Sequence, residues 1–171
     1  MRRLMLLRHA KSDRPDGVGD HERPLARRGR HVCPLMGIYM VEEGLLPDLA
    51  RVSTAFRARE TWELVSAAFR KDIDQIDEAR IYDASAKVIL DAIKETAPDV
   101  KTLLLVGHNP GFHELALKLI EGGSEADLAR LQRKYPTAGL VVIDFNANDW
   151  SDISEGHGQL ERFVTPKSIE Q

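Results

Sequence analysis

The feature that most constrains this chain is the alternation of short apolar runs of strand length with longer stretches of helical periodicity. Strands of that kind need helices laid over them, so the pattern points to an α/β sheet covered by helices. Arg3 to Leu7 reads as the first strand, and Thr102 to Val106 is the strongest strand signal in the chain. Between them, a polar stretch from Lys11 to Pro24 is followed by helical spacing through Val32, Leu35, Met36 and Tyr39, ending near Gly44. Pro34 is expected at that helix's start or at a kink in it. A brief strand at Leu49 to Val52 leads through Ser53-Thr54 into a helix carrying Trp62, Val65 and Phe69, with Ser53 or Thr54 as its N-cap. A helix from about Ser85 to Thr96 places Val88, Ile89, Ala92 and Ile93 on one face. Helical stretches at Phe112 to Ile120 and Glu125 to Arg133 precede late strands at Gly139 to Phe145 and Gln159 to Val164. The expected architecture is a three-layer α/β/α sandwich with a mostly parallel central sheet, in one domain over residues 1–171.

Charge narrows the set of partners. With 24 Lys and Arg against 27 Asp and Glu the net charge is −3, which argues against a protein that coats nucleic acid or an anionic membrane and makes any anion site a local one. A single cysteine, Cys33, forms no internal disulfide and suits a reducing cytoplasm, the compartment expected here. Met1 to Leu7 has a faintly signal-like start, but the apolar run stops at Arg8, and no run is long enough to span a bilayer.

In open α/β sheets ligands bind beyond the carboxyl ends of strands, so polar residues that follow apolar runs are the first to inspect. The first strand ends in Arg8-His9, the second leads to Arg57, and the strand from Thr102 ends in Gly107-His108. Two arginines and two histidines converging on one edge suit a phosphoryl group, and a neutral imidazole can also act as a nucleophile. Arg57 and Arg59 stand at a helix start, where a cation opposes the helix dipole by ~0.3–1 kcal/mol unless an anion lies near. Each short motif also has a plain reading: an Arg-His pair is a common surface feature, and Asn109-Pro110-Gly111 is an ordinary turn before a helix.

Taken together, Leu7-Arg8-His9-Ala10-Lys11-Ser12, Arg23-Pro24-Leu25, Val52 to Thr61 and Val106 to Gly111 resemble the histidine phosphatase superfamily, and within it the small SixA-like phosphohistidine phosphatase branch. The resemblance runs on to Arg162-Phe163-Val164-Thr165-Pro166 and implies a phosphoglycerate mutase-like fold. It places the nucleophilic histidine at His9, phosphate-binding arginines at Arg8 and Arg57, and the second catalytic histidine at His108, with Arg23 as a further phosphate contact. Two positions depart from the family pattern: Ala10 stands for the usual glycine, and Ser53-Thr54 for the usual Ser-Pro.

What the resemblance implies is phosphoryl transfer through a phosphorylated His9, with no metal or cofactor required because cationic side chains hold the charge. Protein phosphohistidine is the expected substrate, in a signalling role; a small phosphate ester is the alternative. Larger members supply a general acid from an insertion this chain lacks. Glu78, Asp83 and Glu114 are the carboxylates in range, each also readable as a solvated surface residue.

Rival readings are weaker. His108, His113 and Glu114 form the nearest thing to a metal cluster, but a five-residue helical step separates the histidines by about 140°. Asp72-Ile73-Asp74 follows no apolar strand and reads as solvated loop. Cys33 lacks the arginine-bearing loop of a cysteine phosphatase, and Arg27-Arg28-Gly29-Arg30 reads as a solvated helix start or a docking patch. From a different class, a non-catalytic phosphate-binding module would keep Arg8 and Arg57 while losing a histidine. Both histidines are present.

Overall fold

A computed structural model describes residues 1–170. Seven strands form one sheet: β1 (Arg2–Arg8), β2 (Leu49–Ser53), β3 (Asp74–Glu78), β4 (Thr102–Gly107), β5 (Ile120–Gly123), β6 (Leu140–Phe145) and β7 (Gly158–Val164). Their spatial order is β3-β2-β4-β1-β6-β7-β5. Neighbours are parallel except at β1–β6 and β6–β7, so β6 alone runs against the others. The mostly parallel α/β sandwich expected from the alternation is therefore the observed fold.

The three layers follow from the period-two pleat of β1. Leu4 and Leu6 face one hydrophobic cluster, built with α3 (Ala86–Lys94), α4 (Gly111–Leu119) and α5 (Glu125–Arg133). Met5 and Leu7 face the other, built with α1 (Arg27–Glu42) and α2 (Phe56–Ser66), with Ile169 of α6 (Pro166–Ile169) packed at its margin. All four β1 residues are fully buried, as are Leu103 to Val106 of β4 beside them.

Several local expectations are corrected. The N-cap of α2 is Ala55, with no side-chain cap: Ser53 ends β2 two residues earlier, and its hydroxyl bonds His108 Nε2 and the Ala55 N–H. Pro34 lies inside α1, seven residues past its start, which excludes the helix start among its two expected places. Val88 is on the solvent side of α3, away from Ile89, Ala92 and Ile93. Asp74 begins the edge strand β3, whose exposed residues carry no apolar pattern to reveal it, and β5 takes over where α4 ends at Leu119. Among the described residues no helix is long and apolar enough to cross a membrane.

Close approach of α1 to α2 depends on Gly37, where a Cβ would run into the carbonyl oxygen of Val65. Backbone cannot yield as a flexible side chain can. Gly37→Ala is expected to destabilise the fold by about 1–3 kcal/mol despite better helix propensity, read as a lower urea midpoint at unchanged slope. A stabilised variant would show that the two helices can separate freely.

Candidate active site

The site is assembled by hydrogen-bonded register. Arg8 pairs with Gly107 across β1–β4, and Val52 with Val106 across β2–β4, so three neighbouring strands end side by side. His9 N–H continues the ladder to Gly107 O at 3.0 Å, and Gly107 leaves no room for a Cβ because the Phe112 ring lies against it. Ala10 N–H donates to Thr61 Oγ1 of α2 at 3.0 Å, and that hydroxyl donates to Arg57 O at 2.8 Å. His9 and Arg57 are thus tied through one threonine. Ala10 is buried outside the left-handed region, so replacing the family's glycine introduces no backbone strain here.

Arg8, His9, Arg23, Arg57 and His108 all line one polar pocket of about 290 Å³, together with Lys11, Ser12, Arg14, Asn109 and Thr137. The His9 and His108 ring centroids are 5.2 Å apart. His9 Nδ1 lies 2.8 Å from Ala10 O. A carbonyl only accepts, so Nδ1 carries the hydrogen and Nε2 keeps its lone pair. His108 Nε2 is 2.7 Å from Ser53 Oγ, which also accepts from Ala55 N–H at 3.3 Å. His108 Nδ1, Arg8 Nε and Arg57 Nε are buried without any hydrogen-bond partner among the described residues.

Burial pushes the His9 pKa down to about 4, helped by the charges of Arg57, Arg8 and Arg23 and opposed by the Ala10 carbonyl. Burial lowers His108 to about 3, with His9 and Arg57 adding to it. Both rings are therefore neutral near pH 7.

Four residues support the site, and of these the sequence singles out only Ser53, as a helix cap. Asp20 sits in a short 3-10 turn of the loop from Lys11 to Pro24. Its carboxylate accepts from Tyr82 OH (2.5 Å), Arg23 Nη1 (3.0 Å) and Arg57 Nη2 (3.2 Å), while its carbonyl accepts from Arg57 Nη1 (2.7 Å). Tyr82, Arg23 and Arg57 hold that carboxyl far below the ordinary aspartate value. The anion beside Arg57 is thus Asp20, whereas Arg59 is exposed, lies over Phe56 and donates to Thr54 O. Tyr135 is buried, bonds Leu6 O through its hydroxyl, and receives Arg8 Nη1 (3.0 Å) and Asn109 Nδ2 (2.9 Å) on its own carbonyl. Ser53 and Thr61 complete the set. Only Asp20's Arg-paired position near an acid-rich turn could have drawn the eye, and nothing local joins it to Arg57.

The carboxylates in range fall elsewhere. Glu78 is buried, not solvated, and is paired with Arg51 (3.0 Å) and Arg80 (3.0 Å), which lower its pKa. Asp83 and Glu114 are exposed. His113 turns its Nε2 to Leu131 O at 2.6 Å, leaving no metal-like trio with His108 and Glu114 among the described residues.

No protein-family model matches the chain. It is 36% identical over 163 residues to the uncharacterized protein Rv1276c of Mycobacterium tuberculosis, covering 94% of this chain and all of that protein. It is 30% identical over 185 residues to an uncharacterized chloroplastic protein of Arabidopsis thaliana, At3g52155, covering 98% of this chain and 79% of that one. Among solved structures, one assigned to phosphohistidine phosphatase SixA of Agrobacterium tumefaciens matches with TM-score 0.78 and 28% identity over 96% of this chain and 98% of that one. The protein histidine phosphatase SixA complexed with tungstate matches with TM-score 0.80 and 18% identity over 98% and 99% of the two chains.

The lowered histidine pKa values set a sign for pH dependence. A folded-state value below the unfolded 6.5 means that the native state binds fewer protons, so this stabilisation is complete above about pH 6.5 and lost as pH falls through about 4. Imidazole NMR titration is expected to show His9 and His108 still neutral at pH 5.5, with the urea midpoint declining below pH 6.5 and less steeply in His9→Gln. Protonation of either ring above pH 6 would contradict the buried, cation-flanked site.

Proposed function

The chain belongs to the histidine phosphatase superfamily, and from that premise we propose that it removes phosphate from protein phosphohistidine through a phosphoenzyme formed on His9. Its likeness to SixA and other histidine phosphatases supports a phosphatase; the substrate and the residue roles are our reading. The observation that carries it is the set of buried, partnerless donors on Arg8, Arg57 and His108 around a histidine with a free Nε2. Leaving such groups unpaired costs about 1–3 kcal/mol each, and a tetrahedral oxyanion supplies acceptors for all three at once. The tungstate held by the SixA structure is an oxyanion of that shape.

In the first step His9 Nε2 attacks phosphorus in line. A P–N bond to His9 forms while the bond from phosphorus to the leaving nitrogen breaks. Arg8 and Arg57 hold the non-bridging oxygens, where fixed donors act most strongly away from water. His108 adds a third donor when its proton is on Nδ1. Ser53 accommodates that tautomer, since its hydroxyl can accept from Ala55 N–H and donate to His108 Nε2. Water then attacks the phosphorylated His9, releasing phosphate and regenerating the neutral ring. The charge is carried by side chains, so the scheme requires no metal.

The leaving group follows from the acids at hand. No carboxyl group lines the pocket among the described residues, and Asp20 beside it is held ionised, the wrong form to donate a proton. A phosphohistidine protonated on its other ring nitrogen departs as neutral imidazole and needs no donor. An alkoxide needs one. This chemistry favours phosphohistidine over alkyl phosphate esters.

The test compares phosphate release from a phosphohistidine peptide and an aryl phosphate, in excess chelator. Wild type is expected to prefer the peptide by about 100-fold or more, and His9→Ala to abolish turnover of both. Arg57→Ala is expected to lower kcat by about 10²–10³. Acid-labile, base-stable phosphate should be trapped on wild type during turnover. Activity surviving in His9→Ala would overturn the mechanism, and preference for the ester would move the substrate to small phosphate esters. Phosphate binding without any turnover would mean a phosphate-binding module.

A further inference from the structure

The pocket around His9 is not the largest concavity. A groove of about 1050 Å³ adjoins it, and Lys11 and Thr137 line both. The groove gathers cations from segments distant in sequence: Lys11 after β1, Arg28 in the first turn of α1, Arg133 and Lys134 at the end of α5, and Lys167 in α6. All five are exposed, and none lies within 4 Å of a carboxylate among the described residues. Arg130, also in the wall, is spent differently: it pairs with Asp127, donates to Phe163 O and covers the Phe163 ring at 4.9 Å. Glu170 is the sole acidic residue along the groove among those described.

A chain of net charge −3 that collects unpaired cations along one trough next to its reacting centre has a local field opposite in sign to the whole. A pocket of about 290 Å³ has room for a phosphorylated imidazole, whose attached chain would then lie along the large groove. We propose that this groove docks an acidic segment of the phosphorylated protein, seated so that its phosphohistidine enters the pocket past Lys11 and Thr137. The proposal rests on the phosphoprotein reading above and names the surface chemistry of that partner. Val32 and Pro136 give the trough apolar wall between the cations, which suits a peptide carrying both apolar and acidic side chains. Nucleic acid fits less well, because Phe163 is 4% exposed and already covered by Arg130, which leaves the exposed His31 as the single ring in the wall on which a base could stack, where a strand needs a succession of them. The basic run Arg27-Arg28-Gly29-Arg30 thereby acquires a partial role: Arg28 lines the groove, Gly29 packs against the Lys11 backbone, and Arg30 turns inward to Leu25 O.

The test uses the full chain with two variants outside the pocket, Arg28→Glu and the double variant Arg133→Glu/Lys134→Glu. Phosphohistidine peptides with acidic or neutral flanks and an aryl phosphate are turned over in parallel. Binding of the unphosphorylated acidic peptide is followed by fluorescence anisotropy. The acidic-flank peptide is expected to have the higher kcat/KM, to lose about 10-fold through KM in either variant and to weaken with added salt. Aryl phosphate kinetics should stay unchanged, which also reports that the variants fold. Equal kcat/KM for the two peptides, or variants that leave the acidic peptide unaffected, would overturn the docking proposal while the phosphatase reading stands. If no phosphohistidine is turned over, charge-sensitive anisotropy still supports the groove as an acidic-protein site. Tighter binding of a single-stranded oligonucleotide of equal charge than of the acidic peptide would reassign the groove to nucleic acid.

Discussion

The ladder that joins β2, β4 and β1 is the constraint on which the rest of the structure depends. Parallel pairing in that order brings Ser53, Gly107 and Arg8 to one edge of the sheet, and the hydrogen bond from His9 N–H to Gly107 O carries the alignment one residue past the strand. Each strand is packed on both faces, so a slip in register would set every side chain against the wrong layer. The packing of the core therefore holds the edge. Functional side chains hang from strand ends whose positions are set by apolar residues that never meet a ligand.

That rigidity is what makes the electrostatics of the site sustainable. Two imidazoles and four guanidinium groups crowd into one pocket, an arrangement that mutual repulsion and desolvation oppose. The protein relieves the strain in two ways. The histidines are neutral, through burial and neighbouring positive charge. Arg57 and Arg23 are partly neutralised by Asp20, which Tyr82 holds in place. Three buried nitrogens of the site, Arg8 Nε, Arg57 Nε and His108 Nδ1, are left without a partner, and in the proposed mechanism an incoming phosphoryl group would supply their acceptors. The residues that keep the site stable without ligand are thus distinct from those that would meet the phosphorus.

Some of this was legible in the chain. The alternating pattern identified the layers, and the strands from Arg3, Leu49, Thr102, Gly139 and Gln159 all exist close to their expected bounds. The residues singled out for chemistry share one pocket. The failures have physical causes. β3 has exposed polar residues at an edge, so its strand character comes from pairing with β2 alone. Serine is a good helix cap, but β2 runs through Ser53 and the helix is capped two residues later, which leaves its hydroxyl for His108 and the Ala55 N–H. Glu78 looked like a solvated carboxylate, since only the folded sheet brings Arg51 across to it.

By itself the sequence determined the layer pattern, the strand ends and the identity of the groups placed there, because side-chain period and residue chemistry are local properties. Tertiary structure decided the strand order, the support given to Arg57 by Asp20 and to Arg8 by Tyr135, and the joining of Lys11, Arg28, Arg133 and Lys167 along one trough. Those partners lie tens to more than a hundred residues apart. Their meeting is set by the packing of the whole core, and no window of sequence contains that sum.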